Sequence, residues 1–195
     1  MPEKARWPNM IPVSKFKKAL QSIAGKAIQQ SFFRFVNVSY LKNLLSCAGS
    51  LKNGGRYNLK NSFEVLYMAP DAQTAIAETG LIDKFKLPPR VLITVDVSLQ
   101  SILDLEEKKI IEDSGIEFER LFLNWRYPSH KESYTQTIGR LVYHSQRFEA
   151  IRYPSVKVRN KYNLAIFPER LRKSSVIKIY DPDKVIENIL EGREW

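Results

Sequence analysis

The chain has a single cysteine, Cys47, in 195 residues. An internal disulfide is therefore excluded, which agrees with a reducing compartment, and a cytoplasmic location is the expectation. Histidine is almost as scarce: His130 and His144 are the only two, and neither stands at metal-ligand spacing from the other or from Cys47. No metal site and no cofactor are expected. The eight glycines form neither a Rossmann turn nor a Walker loop, and no Gly-x-Ser-x-Gly elbow occurs, which disfavours hydride transfer. No apolar run approaches the roughly 20 residues needed to span a bilayer, and residues 1–30 lack the apolar centre of a secretion signal, so no membrane partner is expected. Acidic residues are the minority, 21 against 31 basic, and the net charge of +10 favours an anionic ligand or partner without saying which.

What is present suffices for one domain, because 44% of the residues are hydrophobic and the patterning is continuous. Residues 1–13, with Pro2, Pro8 and Pro12, read as an irregular arm. Ser14 then caps a predicted helix whose apolar stripe is Phe16, Leu20, Ile23, Ala27 and Ile28. The helix could dock on its own domain or lie on a membrane surface; a basic polar face is ordinary for a soluble helix and favours the first. Strands are predicted over 32–38, 63–69, 91–97, 163–167 and 176–180. Helices are predicted over 40–47, from Asp71 to before Pro88, over 101–113 and 116–125, and from Asp181-Pro182 to Glu191. Mixed order without strict alternation gives an α+β fold with a curved mixed β-sheet and flanking helices.

The chemistry concentrates between 53 and 78. Asn53-Gly54-Gly55-Arg56-Tyr57-Asn58 is a tight turn that issues directly into Arg56. Tyr67 follows eleven residues later on a strand, and Glu78 another eleven later on a helix. On a helical projection Glu78 falls between Ile82 and Phe85. A carboxylate there is costly to desolvate unless donors satisfy it; a narrower apolar stripe would leave it exposed at the edge. Arg34, in Phe32-Phe33-Arg34-Phe35, reads from the residues alone as a surface strand arginine. Ser155 follows Pro154 and has no histidine nearby in sequence, so it reads as a hydrogen-bonding or plain turn serine and not as an activated nucleophile.

These motifs resemble the RES-domain family, named for its Arg, Glu and Ser. The Gly-Gly-Arg-aromatic-Asn turn, Leu66-Tyr67-Met68-Ala69 and the alanine-containing helix ending in Glu78 occur in family order. Asp104-Leu105, Tyr134-Thr135-Gln136-Thr137-Ile138-Gly139, Ile151-Arg152-Tyr153-Pro154-Ser155-Val156 and Asn163-Leu164-Ala165-Ile166-Phe167 follow in the same order. Tyr57 stands where the family more often has Trp, and Lys157 where Arg is common. The resemblance implies a catalytic domain over 31–195 with the ADP-ribosyltransferase fold, preceded by the arm and amphipathic helix of 1–30.

It further implies a bacterial toxin that consumes NAD as substrate, cleaving the nicotinamide–ribose bond with water or phosphate as acceptor. The close alternative is an ADP-ribosyltransferase that modifies a protein. On this resemblance Arg56, Glu78 and Ser155 are catalytic, while Arg34, Tyr57, Tyr67 and Asn163 bind substrate. The implied partner is an antitoxin with a helix-turn-helix DNA-binding domain, and homo-oligomerisation stays open. The rival from another class is a basic nucleic-acid-binding or RNA-cleaving module, for which Arg152, Tyr153, Lys157, Arg159, Lys161 and Tyr162 are suitably interleaved. Without a recognition helix or a histidine pair, direct nucleic-acid binding is not expected.

Overall fold

In the computed structural model, which describes residues 11–80, 88–126 and 132–191, the chain begins with helix α1, Val13–Ser22. Pro12 precedes its first turn, so Ser14 lies inside the helix and is not its cap. Phe16, Ala19 and Leu20 are buried. The backbone extends at Ile23, and Ala27 and Ile28, expected on the helical stripe, belong to strand β1, Lys26–Asn37. The aromatic and β-branched run that follows favours the pleated conformation from Lys26 onward.

Strand β3, Arg90–Asp104, runs antiparallel to β1 along nearly its whole length, with Phe32 opposite Val95 and Arg34 opposite Ile93. Its second half occupies the start of the helix predicted over 101–113; only α4, Lys108–Ser114, is helical. Ser101-Ile102-Leu103-Asp104 is buried on both faces, and a short apolar run of that kind fits strand and helix templates equally. Likewise 116–125 contains only a 3₁₀ turn, Phe118–Phe122, and 40–47 is replaced by a 3₁₀ segment, Val38–Asn43, and helix α2, Ala48–Asn53.

Strand β2, Leu66–Met68, is shorter than predicted and leads into helix α3, Ala72–Glu78. Helix α5, Tyr134–Ser145, carries a capping box in which Ser133 and Gln136 satisfy each other's backbone. Strands β4, Ala150–Pro154, and β5, Tyr162–Ile166, form an antiparallel pair, and β6, Val176–Ile179, adds to β3. Helix α6, Val185–Glu191, is capped by Asp181, whose carboxylate accepts from the amides of Val185 and Ile186.

The sheet order is β1-β3-β4-β5-β2, with β6 beside β3, and only β3 and β4 are parallel. Phe33 and Ala69 exchange backbone hydrogen bonds of 2.8 and 3.0 Å, so the far end of the order returns to its beginning and the sheet is strongly curved. One core lies under α1 and α5; the other fills the concave face with Phe32, Val95, Val97, Leu164 and Ile166, closed by Leu44 and Cys47. The fold is mixed α+β in a single domain. Among the described residues no helix is long and apolar enough to cross a membrane.

One buried carboxylate went unnoticed in the sequence. Glu149 is 1% exposed, and its oxygens accept from the amides of Gln100, Ser101 and Arg172 and from the Ser175 hydroxyl. Burial pushes its pKa up, but these donors outweigh it and hold the carboxyl below its ordinary value. Glu149 thereby fastens β3 to the turn that precedes β6.

Candidate active site

A cleft of about 210 Å³ opens where β1, β2, α3 and the β4–β5 pair converge. It is lined by Phe33, Arg34 and Phe35 of β1, by Tyr67 to Ala69, by Ala75, Glu78 and Thr79, and by Tyr153 and Asn163. Four residues singled out from the sequence, Arg34, Tyr67, Glu78 and Asn163, are thus brought together.

Asp71 sets the direction of α3. Its carboxylate accepts from the Thr74 amide at 2.7 Å, which with the Lys161 ammonium at 2.9 Å outweighs desolvation and holds its pKa below the ordinary range. Thr74 and Ala75 are buried, and Glu78 follows one turn after them at the cleft. Its Oε1 accepts from Ser155 Oγ at 2.6 Å and Asn163 Nδ2 at 2.7 Å. Both donors are almost fully buried. Ile82 and Phe85, between which Glu78 was placed on the projection, lie outside the described residues; the donors found are a hydroxyl and an amide.

Ser155 also accepts from the amides of Lys157 and Val158. Its proton is directed at a carboxylate and its lone pairs are used by the turn, which is the geometry of a fixed donor rather than of a nucleophile. Asn163 Oδ1 is buried without a hydrogen-bond partner.

Arg34 is oriented by backbone carbonyls. Its Nη1 donates to Leu44 and its Nη2 to Ser46, both at 2.7 Å. Burial lowers its pKa, and among the described residues no carboxylate is paired with it. Cys47 lies within electrostatic reach, but burial pushes its thiol up to about 11, so it is not a thiolate at neutral pH. Among the described residues no group of three His, Cys, Asp or Glu side chains could hold a metal ion.

The glycine turn acts on the cleft through Tyr67. The Tyr67 hydroxyl donates to Asn58 Oδ1 and accepts from the Tyr57 amide, each at 2.9 Å. Asn58 is fully buried, and its amide donates to the carbonyls of Ser50 and Phe63. A Cβ on Gly55 would stand 2.5 Å from the Tyr67 hydroxyl, so only glycine permits this approach. Helix α5 clamps the turn from behind. Gln136 donates to the carbonyls of Gly55 and Asn58, and Gly139 packs so closely that a Cβ would fall 1.8 Å from the Tyr57 carbonyl oxygen. Burial pushes the Tyr67 phenol far above its usual pKa. Its hydroxyl is committed in both directions, and what faces the cleft is the ring.

Arg56 and Tyr57 are not among the lining residues. Arg56 Nη1 donates to the carbonyls of Leu121 and Leu123, tying the turn to the 3₁₀ segment. Tyr57 is completely buried, its ring 4.6 Å from that of Tyr153, because the turn points it inward beneath the cleft. The aromatic lining from Phe33, Phe35 and Tyr153, and the supporting roles of Asn58 and Gln136, were missed by sequence reasoning. The alternation of Phe33 and Phe35 on one strand face was the available signal.

The interleaved basic and aromatic run is largely engaged inside the fold. Arg152 pairs with Asp104 at 2.7 Å and Glu106 at 2.9 Å and sits 3.9 Å from the Tyr162 ring centroid. Tyr162 hydrogen-bonds Gln30, Lys161 pairs with Asp71, and Tyr153 is buried.

A chain of the crystal structure of the M. tuberculosis MbcT–MbcA toxin–antitoxin complex is similar to this one, with 18% sequence identity and a TM-score of 0.68 over 86% of this chain and 90% of that chain. No curated protein matches the chain significantly. The sequence profile of the RES domain matches residues 31–184, a span that takes in β1 from Ser31 onward, the later strands β2 to β6 and every lining residue of the cleft. The chain belongs to the RES domain family.

Proposed function

We propose that this protein is the toxin of a toxin–antitoxin pair and that it consumes NAD, cleaving the bond between nicotinamide and ribose with water or phosphate as acceptor. The observation that carries this reading is the Glu78 carboxylate, presented at the cleft with one oxygen held by Ser155 and Asn163. Cleavage of that bond develops positive charge on the ribosyl carbon, and a carboxylate fixed beforehand stabilises such charge without reorganising as the bond breaks. Ser155 and Asn163 bind Oε1, which leaves Oε2 for the ribose. The Tyr67 ring, locked through its hydroxyl, offers a flat face to nicotinamide.

Arg34 spends two N–H groups on carbonyls and keeps the rest of its fork for a phosphate or ribose oxygen. Its partly desolvated setting strengthens attraction for an anion. Arg56 is assigned the bracing of the turn, and Tyr57 the support of Tyr153 beneath the cleft. In the overall reaction the bond from ribose to the nicotinamide nitrogen breaks, its electron pair leaves with neutral nicotinamide, and the acceptor oxygen bonds the ribosyl carbon while losing a proton.

The proposed partner is an antitoxin with a helix-turn-helix domain. Similarity in fold to a chain from a toxin–antitoxin complex supports such pairing. The test is to incubate the purified chain with NAD, with and without phosphate, and to identify every product by mass. Nicotinamide with ADP-ribose, or with a phosphorylated ADP-ribose, is expected. Labelled ADP-ribose attached to a macromolecule would instead assign a protein-modifying transferase, and no release of nicotinamide under any condition would overturn the reading.

A further inference from the structure

A cleft of about 210 Å³ is smaller than the roughly 300–1,000 Å³ of pockets that enclose a drug-sized ligand. A dinucleotide with its nicotinamide end at Glu78 must therefore continue outside it. We propose that the adenosine diphosphate half lies on a shelf formed by Phe35, Leu92 and Arg90, with the base against Phe35 and a phosphate on Arg90. This inference rests on the NAD reading above and extends it to a nucleoside diphosphate subsite.

The register supplies the shelf. Phe35 pairs with Leu92 and Asn37 with Arg90, and strand alternation puts Phe33, Phe35, Arg90 and Leu92 on one face. The intervening Phe32, Val36, Ile93 and Val95 are buried on the other, which also carries Arg34, so that the cleft is lined from both faces of β1. Phe33 and Phe35 line the cleft, so the face continues outward from it. Leu92, paired with the lining residue Phe35, is 42% exposed, an apolar side chain left uncovered.

Arg90 supplies the charge. Its guanidinium carbon is 5.7 Å from the Phe35 ring centroid, and its Nη1 donates a long hydrogen bond, 3.5 Å, to the Phe35 carbonyl. Nε is buried with no hydrogen-bond partner, and among the described residues no carboxylate is paired with Arg90. A planar fork not paired with a carboxylate among the described residues, and beside an aromatic ring, is suited to a phosphate adjoining a stacked base, received at its Nη side. The basic residues that follow Ser155, Lys157 and Arg159, are the alternative phosphate ligands, but the aromatic ring of that hairpin at Tyr162 is already covered by Arg152.

Binding of adenosine diphosphate to the full chain is the direct test, because it needs no turnover. The expected result is measurable affinity, weakened about tenfold by Arg90→Gln and by Phe35→Leu, and unchanged within twofold by the Lys157→Gln, Arg159→Gln double variant. Thermal melting of each variant confirms folding, and Phe35→Leu and Arg90→Gln check one another. With NAD as substrate the same two variants should lose about tenfold in kcat/KM, while nicotinamide riboside, which lacks both phosphates and the adenosine, is processed by Arg90→Gln as by the wild type. Absence of adenosine diphosphate binding, or sensitivity only to the Lys157 and Arg159 substitutions, overturns the shelf. Failure of the wild type to release nicotinamide from NAD would overturn the NAD reading instead, whatever the binding assay returns.

Discussion

Replacing Glu78 by Gln removes a charge while keeping the shape of the side chain and an oxygen where Oε1 stands. That oxygen can still accept from Ser155 Oγ and Asn163 Nδ2, so the end of α3 should stay where it is. The cost to stability is the difference between charge-assisted and neutral hydrogen bonds, about 1–1.5 kcal/mol for each of the two, offset in part by relief of desolvating a carboxylate. A net loss of no more than about 2 kcal/mol is expected, small enough to leave the protein folded at 25 °C. On the proposed mechanism the effect on the reaction is larger, because the charge acts on the developing ribosyl cation. Loss of one preorganised electrostatic group costs about 2.7–4 kcal/mol, or 10²- to 10³-fold in kcat. NAD affinity, assigned above to Arg34 and the Tyr67 ring as a proposal, should change far less. The assay is single-turnover release of nicotinamide beside calorimetric binding of NAD, with melting as the control for folding. A folded Glu78→Gln protein that releases nicotinamide at the wild-type rate would refute the mechanism; equal losses in binding and turnover would show that Glu78 only binds.

Tyr67→Phe keeps the ring but leaves the Tyr57 amide and Asn58 Oδ1 without their partner; denaturant unfolding should show a loss of about 2–4 kcal/mol, and a wild-type midpoint would mean that the hydroxyl does not lock the turn. Gly139→Ala drives a methyl into the Tyr57 carbonyl and should cost about 3 kcal/mol or more by the same measurement. Glu149 predicts the response to acid. Its folded pKa is depressed, so its contribution is present above the unfolded value of about 4.3 and is lost as pH falls through the folded pKa. Unfolding curves between pH 7 and pH 3 should flatten in Glu149→Gln relative to the wild type, and unchanged pH dependence would remove Glu149 as the source.

Much of the site was legible because its pieces are locally encoded. Asp71 announces the start of α3, the apolar run before it announces β2, and their spacing sets Tyr67 and Glu78 on adjacent elements. What the sequence concealed is who meets whom. Glu78 finds its donors at Ser155 and Asn163, which lie 77 and 85 residues away, and no periodicity reports a contact of that range. Arginine roles were equally hidden, since Arg34 and Arg56 are oriented by carbonyl oxygens, and a backbone acceptor leaves no mark in composition. Tyr57 and Tyr67 look alike as aromatics near a glycine turn, yet one is driven beneath the cleft and the other forms its wall. The helix predicted over 101–113 failed because Ser101-Ile102-Leu103-Asp104 is buried without a period, and pairing with β4 decided for strand. Strand β4 itself went uncounted, since it ends in a proline, which is tolerated there at a strand terminus.

The cleft draws its members from distant parts of the chain, and this has a consequence in time. During synthesis at about 5–20 residues per second, Glu78 is made while its donor Asn163 is still 85 residues in the future, an interval of roughly 4–17 s at that rate. The bridge from Phe33 to Ala69 can form early, but β2 has no strand partner until β5 is made. A ribosome-bound chain therefore carries an unfinished cleft for most of its synthesis, and the partner proposed above, if it engages the nascent protein, would meet it before the cleft is complete.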